Sequence, residues 1–139
     1  MIYVTRRVHF NAAHKMYNPS WSLEKNQSVF GPCSNENWHG HNYELEVTIR
    51  GVPNPETGYV IDLRLLNQLL EKHILSKVDH RNLNLDVDFM KGIIPSSENF
   101  AIAIWRQLAP HILPPAFLHS VKLFETPRNF VEYKGEAED

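Results

Sequence analysis

The sequence predicts an antiparallel α+β fold, and three observations carry that expectation. From His39 to Arg50 the chain alternates without a break: Tyr43, Leu45, Val47 and Ile49 are apolar, while Asn42, Glu44, Glu46, Thr48 and Arg50 are polar. A period of two marks a half-buried strand. Two later stretches, Leu63 to Lys77 and Phe100 to Leu108, repeat their apolar residues at helical spacing. Strand-like segments come first, then two helices, then a last strand, which is a segregated order rather than the strand–helix alternation of a parallel sheet.

Taken in order, Ile2, Val4, Val8 and Phe10 alternate with Tyr3, Thr5, Arg7 and His9, so a first strand is expected over Ile2–Phe10. Arg6 is an exception on its apolar face, and His9 falls on the outside. Lys15 to Pro32 shows no sustained period and contains the turn signals Asn18-Pro19-Ser20 and Gly31-Pro32. A long loop is expected there, of the kind compact domains keep for function. Its Trp21 and Phe30 either pack locally or line a pocket or subunit contact. The second strand ends at Gly51. After the turn Pro53–Gly58, Tyr59, Val60 and Ile61 form a short third strand, making a hairpin with the second.

Asp62 is a good N-cap for the first helix, whose stripe is Leu63, Leu66, Leu70 and Ile74 with Leu69 beside it. Phe89 to Ile94 is irregular. Ser96 or Ser97 caps a second helix, which buries Phe100, Ala101, Ile104, Trp105 and Leu108 and is stopped by Pro110, Pro114 and Pro115. Val121, Leu123 and Glu125 share one face of a fourth strand, with Phe124 on the other. Asn129 to Lys134 is a strand end or an extension, and the acidic tail Gly135–Asp139 is expected to be disordered.

At 139 residues the chain is read as one domain, 1–139, with a core of its own. A net charge of −2 argues against a dedicated nucleic-acid binder. No apolar run is long enough to span a membrane, the first residues lack a secretory h-region, and a single cysteine fits a reducing, cytoplasmic setting.

Chemistry concentrates in Cys33–Tyr43, which holds the only cysteine and the pair His39 and His41. The two histidines share parity with the apolar face of the second strand. Their Cα atoms would lie about 7 Å apart, at roughly 3.3 Å per residue, a workable bite for one metal ion. Gly40 leaves the opposite side of the strand bare. His14, after the first strand, is the candidate third ligand. Three imidazoles with one open position is the usual pattern of a catalytic zinc site, although ordinary surface or core histidines would give the same letters.

Phe10-Asn11-Ala12-Ala13-His14 followed by Cys33-x5-His39-Gly40-His41-Asn42-Tyr43 resembles the 6-pyruvoyltetrahydropterin synthase family, which includes the 6-carboxytetrahydropterin synthases of queuosine biosynthesis. Thr57-Gly58-Tyr59-Val60-Ile61-Asp62, Val78-Asp79-His80-Arg81-Asn82-Leu83-Asn84, Pro95-Ser96-Ser97-Glu98-Asn99 and Glu125-Thr126-Pro127-Arg128-Asn129 are similar to further blocks of that family, in the same order. The departures Tyr59, Val78 and Ser96 with Ser97 are conservative. The resemblance implies the tunnelling fold: a four-stranded antiparallel sheet with two helices on one face. Three such subunits form a barrel, and two trimers stack into a homohexamer with sites between subunits.

The resemblance also implies roles. Zn2+ would be held by His14, His39 and His41. Cys33 would be the general base, where a lone cysteine is otherwise a small buried residue. Asp79 and His80 would form an acid–imidazole pair, where such a pair after a helix is otherwise a cap and a surface residue. Glu125 would anchor the pterin through two hydrogen bonds. Glu98 would join it, although its place in a helix's first turn is explained by capping alone. The substrate would be 7,8-dihydroneopterin triphosphate, with Lys15, Arg81 and Arg128 as candidate phosphate partners. A lyase of the pyruvoyl branch would eliminate triphosphate; the queuosine branch would release acetaldehyde as well and leave 6-carboxytetrahydropterin. Five residues between Cys33 and His39 resemble the pyruvoyl branch. Rival readings are a non-catalytic zinc-binding module and a metal-dependent hydrolase acting on another small molecule.

Overall fold

Two long strands form the spine of the molecule. In the computed structural model, which describes residues 1–136, β1 (Ile2–His14) and β2 (His39–Gly51) pair antiparallel along their whole length, from Ile2 opposite Gly51 to His14 opposite His39. The first strand therefore runs past the predicted end at Phe10. Val8, Phe10, Ala12 and His14 are all buried, so the inward parity continues through the alanines. Small side chains carry little hydrophobic signal, which is why the pattern faded there in the sequence.

Between these strands the expected loop contains a helix, α1 (Leu23–Phe30), capped by the Ser22 hydroxyl, which accepts from the Lys25 N–H. Leu23 and Val29 are exposed and the one buried residue of α1 is Asn26. Its amide accepts from the Asn18 N–H (2.7 Å) and donates to the carbonyls of Asn18 and Ser22 (3.0 Å each). A helix held by a buried amide shows no apolar stripe, so periodicity could not reveal it. Trp21 stacks on Phe30, which makes them local packing partners.

The predicted hairpin is not formed. Tyr59–Ile61 is not a strand, because both edges of β2 are taken: β1 lies on one side and β4 (Phe117–Phe124) on the other. Val60 and Ile61 instead lean on the core from the side. Asp62 does cap α2 (Leu63–Leu70), accepting from the Arg64 N–H at 2.9 Å. The helix continues through a π turn at Glu71–Leu75 and closes as α3 (Ser76–Val78). Leu66, Leu70, Ile74 and Val78 are fully buried, whereas Leu63, counted in the apolar stripe, is exposed. A two-residue strand, β3 (Arg81–Asn82), then pairs parallel to β1.

Asp88–Met90, which overlaps the start of the irregular stretch expected over Phe89–Ile94, forms a 3₁₀ turn. Ser96 caps α4 (Ser97–Leu108), its hydroxyl accepting from the Asn99 N–H. Phe100, Ala101, Ile104 and Leu108 face inward as expected, and Trp105 is half-buried against Tyr133. After β4, Asn129–Lys134 is a strand in its own right, β5 (Phe130–Tyr133). The sheet thus has five strands rather than four, in the order β3-β1-β2-β4-β5. It is open among the described residues, with β3 and β5 as edges. The helices cover one face: α4 packs on β4 and β5, and α2 and α3 pack on β1. Of the tail expected to be disordered, Gly135 lies against the Trp105 ring and Glu136 accepts from the Tyr133 hydroxyl at 2.7 Å. Residues 137–139 lie outside the described residues.

Candidate metal centre and active site

Strand register builds the centre. His14 closes β1 and His39 opens β2 directly opposite, so the two rings meet at the end of the sheet. His41 lies two residues along β2 on the same face. The ring centroids of His14, His39 and His41 are 4.6, 4.9 and 5.0 Å apart in pairs. Glu125 joins them from the end of β4, and one ligand atom from each of the four residues lies within 4.8 Å of all the others. The four residues form a group able to hold a metal ion.

The donor chemistry fits a cation. The Nδ1 of His14, a buried residue, lies 2.8 Å from the Pro95 carbonyl oxygen. A carbonyl can only accept, so this nitrogen carries the proton and Nε2 presents its lone pair to the cluster. That Nε2 and the Nε2 of His41 are buried without any hydrogen-bond partner. Burial, then the Pro95 hydrogen bond acting in the opposite sense, leaves His14 with a pKa below the usual histidine value. Burial and then the neighbouring His41 lower that of His39. Both rings are therefore biased toward the neutral form that binds metals. Tyr43, stacked on Phe10 and packed edge-on to His41, has its phenol pKa pushed up by burial and then by Glu125. Its hydroxyl is also without a partner.

Glu125 is fixed from two sides. The Thr126 hydroxyl accepts from the Arg128 and Asn129 N–H groups, and the Glu125 N–H donates to the Asn129 carbonyl, closing a tight turn behind it. The Ser97 hydroxyl, buried at the start of α4, donates to Oε2 at 2.5 Å. By sequence alone Ser97 reads only as a helix cap. Its neighbour Glu98 is exposed in the first turn of α4.

The other expected site residues are not gathered here. Cys33 is exposed in a 3₁₀ turn, Gly31–Ser34, not buried, and it is outside the ligand group. Its carbonyl accepts from the Met16 N–H at 2.7 Å, which ties that turn to the chain just after His14. Asp79 and His80 pair at 2.9 Å and are pinned to the outer edge of β1: Asn11 N–H donates to Asp79 Oδ1, and His80 N–H donates to the Asn11 carbonyl. His80 sits at a φ of +59°, a region costly for a non-glycine residue. His80 borders a cavity of about 480 Å³ that also touches Asn11, Ala12, Ala13, Gly40, His41, Asn42 and Arg81. Asn11, Ala13, Gly40 and Asn42 have the opposite parity to the three imidazoles, so part of the cavity wall is on the other face of the sheet, while Ala12 and His41 line it as well. Trp38, just before His39, also has a positive φ (+57°). The Lys15 ammonium rests over its ring and over Tyr17, at 4.9 and 5.1 Å. Strain at Trp38 and His80 gave no signal in the sequence, where each reads as an ordinary residue of its type.

Residues 3–136 match the family model described as 6-pyruvoyl tetrahydropterin synthase. The chain belongs to the 6-pyruvoyl tetrahydropterin synthase family. It is 44% identical over 133 residues to the 6-pyruvoyl tetrahydrobiopterin synthase of Pongo abelii, covering 96% of this chain and 91% of that one. It is 42% identical over 133 residues to the protein of that name from Homo sapiens, with the same coverage. The solved structure of Caenorhabditis elegans 6-pyruvoyl tetrahydropterin synthase superposes with a TM-score of 0.91 at 39% identity, covering 97% of this chain and 96% of that one. A 6-carboxy-5,6,7,8-tetrahydropterin synthase from Rickettsia typhi is 32% identical over 151 residues, covering 95% of this chain and 99% of that one. The open five-stranded sheet with helices on one face is the tunnelling fold of this family.

Proposed function

We propose that this chain is a zinc-dependent lyase that converts 7,8-dihydroneopterin triphosphate to 6-pyruvoyltetrahydropterin and triphosphate. The observation that carries the reading is the convergence of the His14, His39 and His41 rings at the positions where the family motif has its metal ligands. Zinc there supplies Lewis acidity toward the side-chain hydroxyls of the substrate. The pyruvoyl product is favoured over the carboxy product by the higher identity to relatives named for the former and by the five-residue spacing of Cys33 and His39.

Each residue then has a task. The Pro95 carbonyl holds His14 in the ligating tautomer. Glu125 offers a carboxylate to the amino and ring N–H groups of the pterin, a flat bidentate match, and Glu98, exposed in the first turn of α4, is offered to the same ring. Cys33 removes the proton from the side-chain carbon next to the ring. Its electron pair passes into the pterin, so reduction of the ring and oxidation of the side chain balance within one molecule and no external reductant is needed. Asp79 orients His80 through the 2.9 Å contact, and the pair steadies the proton movements. Lys15, Arg81 and Arg128 are the cations offered to the triphosphate.

In a single chain the Asp79–His80 pair sits along the edge of β1 away from β2, outside the group formed by the imidazoles and Glu125. The reading therefore includes a homo-oligomer, a hexamer of two trimers, in which a second copy brings its pair to the centre. The working unit is the domain 1–139, placed in the cytoplasm. The described residues contain no helix long and apolar enough to cross a membrane.

Incubating the zinc-loaded protein with 7,8-dihydroneopterin triphosphate and weighing the products by mass spectrometry tests the reaction. Triphosphate and 6-pyruvoyltetrahydropterin are expected. Acetaldehyde with 6-carboxytetrahydropterin would move the chain to the other branch, and no turnover by a zinc-loaded oligomer would leave a binding module. Cys33→Ala should abolish turnover with zinc content and assembly unchanged.

A further inference from the structure

The geometry points to a second role for Glu125: we propose that in the substrate-free protein its carboxylate is the fourth ligand of the metal, and that it leaves when a pterin takes it up. This rests on the reading of the centre as a metal site and adds a closed resting state to it.

The distances suit coordination. With zinc–nitrogen and zinc–oxygen bonds of about 2.0–2.1 Å, the edge of a tetrahedron between two ligand atoms is about 3.4 Å. Glu125 Oε1 lies 2.9 Å from His41 Nε2 and 3.9 Å from His14 Nε2, bracketing that edge. Hydrogen bonding does not explain the approach. Although His41 Nε2 and Oε1 are close, the pair lacks hydrogen-bond geometry and the nitrogen is left without a partner. His14 cannot donate to the carboxylate in its neutral form either, because its proton is on Nδ1 facing Pro95. The His14 Nε2 lone pair and a carboxylate oxygen facing one point repel each other unless a cation lies between them.

The support behind Glu125 is that of a ligand. Ser97 Oγ donates to the other oxygen, Oε2, which fixes the carboxylate with a single oxygen toward the histidines. The Glu125–Asn129 turn holds the backbone. A carboxylate is also the group whose geometry matches a pterin's adjacent N–H donors. Ligation uses Oε1 and the bidentate pterin contact uses both oxygens, so the two uses compete for Oε1. Seating the pterin would then free the fourth position only when the substrate is present to fill it.

The test uses full-length protein loaded with zinc or cobalt(II). Zinc affinity is measured by chelator competition, and the cobalt visible spectrum reports the ligand set. Glu125→Gln is expected to weaken zinc at least about tenfold and to change the cobalt spectrum. Ser97→Ala, which keeps the carboxylate but loosens it, should shift both in the same direction by less. Adding 6-methyl-7,8-dihydropterin, which has the pterin N–H face and no side-chain hydroxyl to reach the metal, should move the wild-type spectrum toward that of Glu125→Gln. Unaltered affinity and spectrum in a folded Glu125→Gln protein would overturn the proposal and leave the three-histidine site standing. A changed variant with no response of the wild type to the pterin would overturn the departure of the carboxylate. A wild-type protein that takes up no metal would overturn both this and the site itself.

Discussion

One carbonyl decides which edge of the His14 ring can bind a metal. Pro95 O takes the Nδ1 proton, and its reach across 81 residues makes α4's lead-in part of the centre. His14 and His39 have folded-state pKa values below the ordinary value, so near and below pH 6.5 the unfolded chain binds more protons than the folded one. Stability of the metal-free protein must therefore rise with pH in that window. We expect its melting temperature to fall as the pH is lowered from about 7 to 5, and a flat profile would contradict the buried, neutral histidines. His41→Ala should drop bound zinc below one per chain, as read by elemental analysis, while the far-ultraviolet circular dichroism is retained. His14, His39, His41 and Glu125 were all legible as residues because they sit in recurring motifs. What the letters could not express was that Glu125 stands within ligand reach of the imidazoles, or that Ser97, 28 residues earlier, holds its carboxylate.

Elements were legible where an apolar rhythm drives them. α2 and α4 were found from their stripes and from Asp62 and Ser96 as caps. Asp62→Ala should cost about 0.5–2 kcal/mol through loss of the N-cap, visible as a lower thermal midpoint. α1 escaped because its anchor is polar. Asn26→Ala would remove the hydrogen bonds that hold the backbone of Asn18 and Ser22, at a net cost of about 0.5–1.5 kcal/mol each. Amide exchange should quicken across residues 18–30 and stay slow in β1 and β2; unchanged protection in α1 would refute its dependence on Asn26. The Tyr59–Ile61 segment has the composition of a strand but no free edge to join. Strand propensity describes a fit to a half-buried surface, not a guarantee of a partner.

At the scale of the whole molecule, the sheet divides the proposed machinery. Metal ligands lie on the helix-covered face at one end, and Asp79 with His80 lies along the edge of β1, where His80 borders the cavity that Asn11 and Asn42 also line. If active sites form between copies, two inactive variants can rescue each other. Mixing Cys33→Ala with His80→Ala protein, with denaturation and refolding together, should restore part of the turnover that each homo-oligomer lacks. No recovery in mixed oligomers of the native size would place both residues in one copy's site. Fold class, imidazole set and family can be read from the chain alone, because alternation, helical spacing and short motifs are local properties that each stretch carries alone. The fifth strand, the course of Tyr59–Ile61, the tautomer of His14 and the meeting of Glu125 with the histidines emerge only in the folded chain. Those depend on which edges and atoms remain unpartnered once distant segments pack, and no local pattern encodes that.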